Sequence, residues 1–171
     1  MRGTLKFLLA LLVALVLMLT FRALVFTVIT VEGRGLEPTF LPGDRLLVNR
    51  WAYGLRAGDG RFFPYGRLGR SAVERGDIIV FEDPRDSLCS RVLVCRCRAV
   101  PGDEVVIKGE KQVVPGLHNC ADADYYYMET LSPNNSEDSS DFGLVPERCI
   151  IGSPLFIVYN PLVRKRYLLQ P

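Results

Sequence analysis

Two short stretches concentrate the side chains able to attack a carbonyl. Cys95 and Cys97 sit two apart in the run Arg91–Val100, and Ser136, Asp138 and Ser139 lie in an acidic, Asn/Ser-rich patch from Glu129 to Asp141. A hydroxyl or thiol attacks only once a neighbour takes its proton or lowers its pKa. His118 is the only histidine. A thiol–imidazole pair would have to join Cys95 to His118 across a turn and a strand, and nothing in the sequence places the two together. Cys95 and Cys97 also have a plainer reading. Residues two apart on a strand share a face, and cysteine is among the most commonly buried residue types. The five cysteines are Cys89, Cys95, Cys97, Cys120 and Cys149. Their odd number leaves at least one thiol unpaired within the chain. No CxxC pair occurs, so a zinc ligand set at the usual spacing is missing. No metal and no cofactor is expected.

The elements that must hold these residues begin with an apolar helix. Phe7–Phe21 reads FLLALLVALVLMLTF, and with Leu5 and snorkelling Lys6 and Arg22 it reaches the ~20 residues a bilayer needs. No polar face interrupts Phe7–Leu19, which argues against a core helix. Thr20–Phe21–Arg22 is bulky where a cleaved signal would carry small residues, so the segment reads as a signal-anchor. Arg2 and Lys6 then keep the N-terminus cytoplasmic and everything after Arg22 on the outer or periplasmic side of a cell (inner) membrane, in a single pass.

Beyond the anchor, short apolar runs alternate with Gly, Pro and Asp: Ala23–Val31, Arg45–Asn49, Ile78–Phe81, Arg91–Val100, Glu104–Lys108 and Leu155–Tyr159. This pattern predicts a mostly β chain, an antiparallel barrel-like or curled sheet. The expected division is 1–30 as cytoplasmic tip and transmembrane anchor and 31–171 as the β domain, with 104–128 as a small inserted subdomain. The stretch from Ala57 to Gly69 reads as an excursion from the sheet. Its Arg61–Phe62–Phe63–Pro64–Tyr65 suits either a membrane surface or a fold back onto the core. The net charge of +2, without a basic stripe, excludes nucleic acid as a partner.

Three blocks in order resemble the type I signal peptidases. Val31–Phe40 (VEGRGLEPTF), then Gly43–Asp44 and Val48–Gly54 (VNRWAYG), is similar to V-x-G-x-S-M-x-P-T-L, G-D and V-N-K-x-x-Y-G. Arg75–Phe81 (RGDIIVF), leading to Cys95–Asp103 (CRCRAVPGD), is similar to R-G-D-I-V-V-F and K-R-x-x-x-x-P-G-D. Asn135–Ser139, with Phe142–Gly143 and Val145–Pro146, resembles N-S-x-D-S-R-x-x-G-x-V-P. The resemblance implies a membrane-anchored β domain of the family that cuts signal peptides from exported proteins.

The departures fall on the chemistry. The family's nucleophilic serine corresponds to Gly35, and its general-base lysine corresponds to Cys95. Ser140 stands where the family has an arginine, and the usual Gly-Asp-Asn-Arg run is not visible in Glu129–Asn134. Glycine offers no attacking oxygen, and an ionised thiol cannot do the work of a neutral amine. Losing either member of such a unit removes nearly all its rate. The resemblance thus implies a pseudoenzyme with no catalytic residue at the dyad positions. Gly33, Leu36, Pro38 and Thr39 are its peptide-binding candidates, and Arg96, Ser136, Asp138 and Ser139 support the site. Pro38–Thr39 keep either the shape of a peptide-binding edge or only that of a turn. Expected partners are signal peptides of exported preproteins, the lipid bilayer and an active signal peptidase. The alternative is an active peptidase with groups relocated among Ser136, Ser139, Asp138 and Cys95.

Overall fold

The computed structural model describes residues 2–31, 39–41, 43–58, 64–86, 91–107, 109–119, 123–130 and 139–160. Helix α1 runs Arg2–Val25. Its segment Gly3–Arg22 has a mean hydropathy of 2.5, is not buried by the rest of the chain and is long and apolar enough to cross a membrane. The helix continues three residues past Arg22, into the start of the run expected to be extended. The first strand, β1, begins at Phe26 and ends at Thr30. Ala23–Leu24–Val25 add one more turn to a helix already nucleated, and adding a turn is easier than starting one.

The β strands follow the turn chemistry. They are β2 Arg45–Asn49, β3 Leu55–Ala57, β4 Gly66–Leu68, β5 Ile78–Glu82, β6 Val92–Ala99, β7 Glu104–Ile107, β8 Glu110–Val113, β9 Tyr125–Glu129, β10 Val145–Pro146 and β11 Ile150–Tyr159. Seven of the strands form one sheet in the order β1-β2-β11-β5-β6-β9-β10. Its pairings are antiparallel throughout, as expected for a curled antiparallel sheet. Two hairpins stand apart from it, β3–β4 and β7–β8. The first contains the stretch read as an excursion. Helix α2 is a single turn, Ser139–Phe142.

Both faces of the sheet are covered at its centre. Ile79 and Phe81 of β5 enter a cluster with Leu93, Cys95, Cys97, Met128, Phe142 and Ile150. Val80, between them, enters the opposite cluster with Val94, Val31, Phe40, Leu46, Val48 and Ile157. A strand buried on both sides needs a continuous apolar run rather than alternation, and Ile-Ile-Val-Phe supplies it. Towards β1, one face is open. Val28, Leu47 and Phe156 lie opposite one another across three strands, and Val28 and Phe156 are exposed. Strand β11 shifts register after Pro154, a place where a strand tolerates proline.

Candidate active site

The described ends of the first block are fixed in place. Gly33, Gly35, Leu36 and Pro38 lie outside the described residues. Val31 and Phe40, on either side of them, are buried in the cluster that includes Val80 and Val94, while Thr39 is exposed. Asp44 pins both ends. Its backbone carbonyl accepts from Val31 N–H at 2.8 Å, and its Oδ2 accepts from Leu41 N–H at 2.8 Å. Its Oδ1 accepts from the Asn160 side-chain amide, and the carboxylate is fully buried. Asp44→Ala leaves a backbone N–H and an amide without their acceptors, at roughly 2–3 kcal/mol of stability. Urea unfolding should show the midpoint falling with an unchanged m value.

The second block is tied together through its turns. Tyr53 donates its hydroxyl to Asp77 at 3.1 Å. Gly76 N–H donates to Cys97 O at 2.7 Å, and Cys97 N–H to Asp77 O at 2.8 Å. Arg75 donates Nε to Asp103 at 2.8 Å, and that contact, together with a backbone N–H, holds the Asp103 carboxyl below the usual range. Cys95 faces Ile79 across β5–β6. It is 2% exposed and shares its cluster with Cys97, the common face expected for residues two apart. Burial, with Asp77 and Asp103 adding to it, pushes the Cys97 thiol up to about 12. That is the opposite of an activated nucleophile. His118 is exposed in the turn at 117–119 while Cys95 is inside the core, so the structure does not assemble a thiol–imidazole pair.

The third block docks onto the second. Ser136 and Asp138 lie outside the described residues. Ser139 is fully buried, and its Oγ accepts from Met128 N–H at 2.7 Å. Met128 lies directly across from Cys97. Phe142 packs on Phe81 with ring centroids 5.7 Å apart. Ser139 is thus occupied as a backbone acceptor inside the core, away from any solvent-borne substrate.

The protein-family comparison decides what the first two blocks amount to. Residues 4–123 match the family described as signal peptidase, peptidase S26. The chain belongs to the S26 signal peptidase family. Among its similar relatives is the mitochondrial inner membrane protease subunit 2 of Saccharomyces cerevisiae, 27% identical over 151 residues, spanning 84% of this chain and 74% of the relative. The probable signal peptidase I-2 of Synechocystis is 27% identical over 171 residues, with 88% and 71% covered. Signal peptidase I V of Bacillus subtilis is 28% identical over 132 residues, with 77% and 66% covered.

Within this S26 chain, several positioning groups carry no sequence signal of their own. Asp83 reads as part of a turn, yet it is 3% exposed. Arg85 grips it through Nε at 3.1 Å and Nη2 at 2.9 Å, which with Arg91 holds the Asp83 carboxyl low. The same Arg85 guanidinium stands 5.6 Å over the Phe142 ring and so braces the third block. Arg67 is more deeply placed. It donates to Gly54 O, Glu147 O and Ile150 O at 3.0, 2.8 and 2.6 Å, clamping β4 to the last strand. Its Nε also donates to Tyr65 Oη at 2.7 Å, which turns Tyr65 inward. Phe62 and Phe63 lie outside the described residues. No three His, Cys, Asp or Glu among the described residues are placed to hold a metal. A cleft of about 560 Å³ opens beside Arg98, Tyr127 and Glu129, and Cys95 and Ser139 do not line it.

Proposed function

We propose that this S26 chain is a membrane-anchored pseudoenzyme that holds the signal peptides of exported preproteins without cutting them. The observation that carries the reading is Cys95, at the position of the family's lysine, 2% exposed and packed among Ile79, Phe81 and Met128. A thiol in an apolar core resists ionisation and supplies no amine to take a serine's proton. At the position of the serine stands Gly35. The alternative of relocated catalytic groups is weakened by Ser139, whose hydroxyl is buried and already engaged. On this reading α1 crosses the inner membrane once, with Arg2 and Lys6 on the cytoplasmic side. The apolar outer face at Val28 and Phe156 then adjoins the bilayer. On this reading the peptide-binding residues are Gly33, Leu36, Pro38 and Thr39, to which an extended peptide would add as a strand, and Arg96, Ser136, Asp138 and Ser139 are the supporting groups. An active signal peptidase is its natural working partner.

The test is full-length protein in proteoliposomes incubated with a precursor, with binding and cleavage followed together. Binding without cleavage is expected. Cleavage at a small-x-small site, abolished by Cys95→Ala or Ser139→Ala and missing from a mock preparation, would overturn the reading.

A further inference from the structure

Arg50 carries a positive charge that the described residues leave unanswered. Its backbone N–H donates to the Val25 carbonyl at 2.8 Å. Its half-buried side chain has no hydrogen-bond or ion-pair partner among the described residues. That side chain lines a cavity of about 180 Å³ together with Thr27, Ile29, Arg56, Glu82 and Ile151. Glu82 is the carboxylate of the cavity, and Arg56 holds both its oxygens at 3.0 Å. The Arg56–Glu82 pair cancels, so the lining keeps one net positive charge, that of Arg50. Thr27 adds a hydroxyl that likewise has no partner among the described residues. A cation without a counter-charge beside a free hydroxyl suits an anion with several acceptor oxygens.

The place of the cavity in the fold says which anion. Thr27 is the second residue of β1, Arg50 follows the last residue of β2, Glu82 ends β5 and Ile151 is the second residue of β11. Antiparallel pairing brings all four to the end of the sheet at which α1 enters. The apolar segment of α1 stops at Arg22, and the three residues from there to Val25 climb about 4.5 Å. A headgroup layer is roughly 5–7 Å deep on each side of the hydrocarbon. With α1 across a bilayer, Arg50, bonded to Val25, therefore stands at the height of lipid phosphates. Drug-sized ligands need about 300 Å³ or more, so this smaller cavity admits an ionic head and little else. The planar fork of a guanidinium matches phosphate oxygens. Ile29 and Ile151, which pack against the cluster of Val31 and Phe40, give the cavity its apolar side.

We propose that Arg50 and Thr27 bind the headgroup phosphate of one anionic phospholipid, which ties the β domain to the bilayer at a second point beside α1. The proposal rests on the reading that α1 spans the membrane. Full-length protein in neutral detergent micelles is titrated with phosphatidylglycerol, phosphatidylcholine or soluble glycerol phosphate, and bound ligand is counted by native mass spectrometry. One phosphatidylglycerol should bind about fivefold more tightly than phosphatidylcholine, the scale of one basic residue at an anionic surface. Glycerol phosphate, lacking acyl chains, should bind more weakly than either. Arg50→Gln should remove the preference and Arg50→Lys keep part of it. Arg22→Gln should leave it in place, because Arg22 is an exposed residue of α1 that does not line the cavity. Equal affinity for the two lipids in the unmodified protein overturns the proposal and needs no variant to fold. So does a preference that survives Arg50→Gln, or one that Arg22→Gln abolishes as fully, which would mark diffuse attraction. Glycerol phosphate binding as tightly as phosphatidylglycerol would make this a site for free anions and overturn the lipid assignment. Flotation with liposomes, run in parallel, tests the anchor: protein that does not float removes that reading and the proposal with it.

Discussion

Cys95→Lys should cost roughly 4 kcal/mol of folding stability near pH 7, about three pKa units of buried-amine depression at ~1.36 kcal/mol each. The site is 2% exposed and its neighbours Ile79, Phe81, Leu93 and Met128 are apolar. An ammonium placed there sheds its hydration, so its folded-state pKa falls below the unfolded value of about 10.4. Between those two values the unfolded chain holds more protons than the folded one, and stability rises with pH across the window. The variant should therefore recover towards pH 10 relative to the unmodified protein at each pH. The comparison must be paired because Cys97 acts in the opposite sense. Its thiol sits at about 12 instead of 9.0, so the folded state keeps a proton the unfolded chain has lost, and stability declines as pH climbs above 9 in both proteins. Urea unfolding from pH 6 to 10 measures the difference. A variant as stable as its parent and indifferent to pH would mean that residue 95 reaches water, and the case for a dismantled base would collapse. The same depression is what a Ser/Lys unit needs for its general base. For that reason Gly35→Ser combined with Cys95→Lys is the pair of changes with which to seek restored cleavage, once its fold is secured.

Gly152→Ala should destabilise the domain by about 3 kcal/mol, through overpacking against backbone that cannot step aside. A methyl group at Gly152 would overlap the Asn49 carbonyl oxygen, lie 2.8 Å from the carbonyl carbon and lie 3.1 Å from Arg50 Cα. Gly152 belongs to β11, which joins β2 on one side to β5 on the other. Displacing it would part the half of the sheet that carries the first block from the half that carries the second and third. Gly66→Ala is the matched control, because nothing lies within 4 Å of its added carbon and a surface change away from special features stays within about 0.5 kcal/mol. Thermal or urea unfolding should separate the two clearly. Similar values for both would show that β11 yields where the close approach says it cannot.

The legible part of this protein is the part encoded over short distances. Arg45–Asn49 carries its strand in its own alternation, and Ile78–Phe81 in a continuous apolar run between turns. The three blocks carried the family because their turn residues are local. The junction at Ala23–Val25 differs from the expected extended run because Ala, Leu and Val after a long apolar helix fit either state, and helix propagation settles it. The groups that brace the site were hidden for a different reason. Asp44 with Asn160, Arg85 with Phe142 and Arg67 with Ile150 join residues far apart in the chain. Only the folded chain brings such residues together, and no spacing rule announces a partner 116 positions away. Tyr125–Glu129 carries no polar residue before Glu129 to alternate with its buried Tyr126 and Met128, so its strand shows only in the pairing with β6.

One detail of the junction sets how the domain can move. Val25 ends α1 and Phe26 begins β1 with no residue between them. The joint is clamped twice, by Arg50 N–H on the Val25 carbonyl at 2.8 Å and by the Phe21 and Trp51 rings at 6.5 Å. There is no swivel. With α1 placed across a bilayer, the sheet inherits both its height and its heading from the helix. The heading follows the helical phase: each residue added to α1 turns the whole sheet by about 100° around the helix axis and lifts it about 1.5 Å. Anchor length in this protein is therefore an angular setting as much as a linear one, and a helix one residue longer presents a different flank of the domain to whatever shares its membrane.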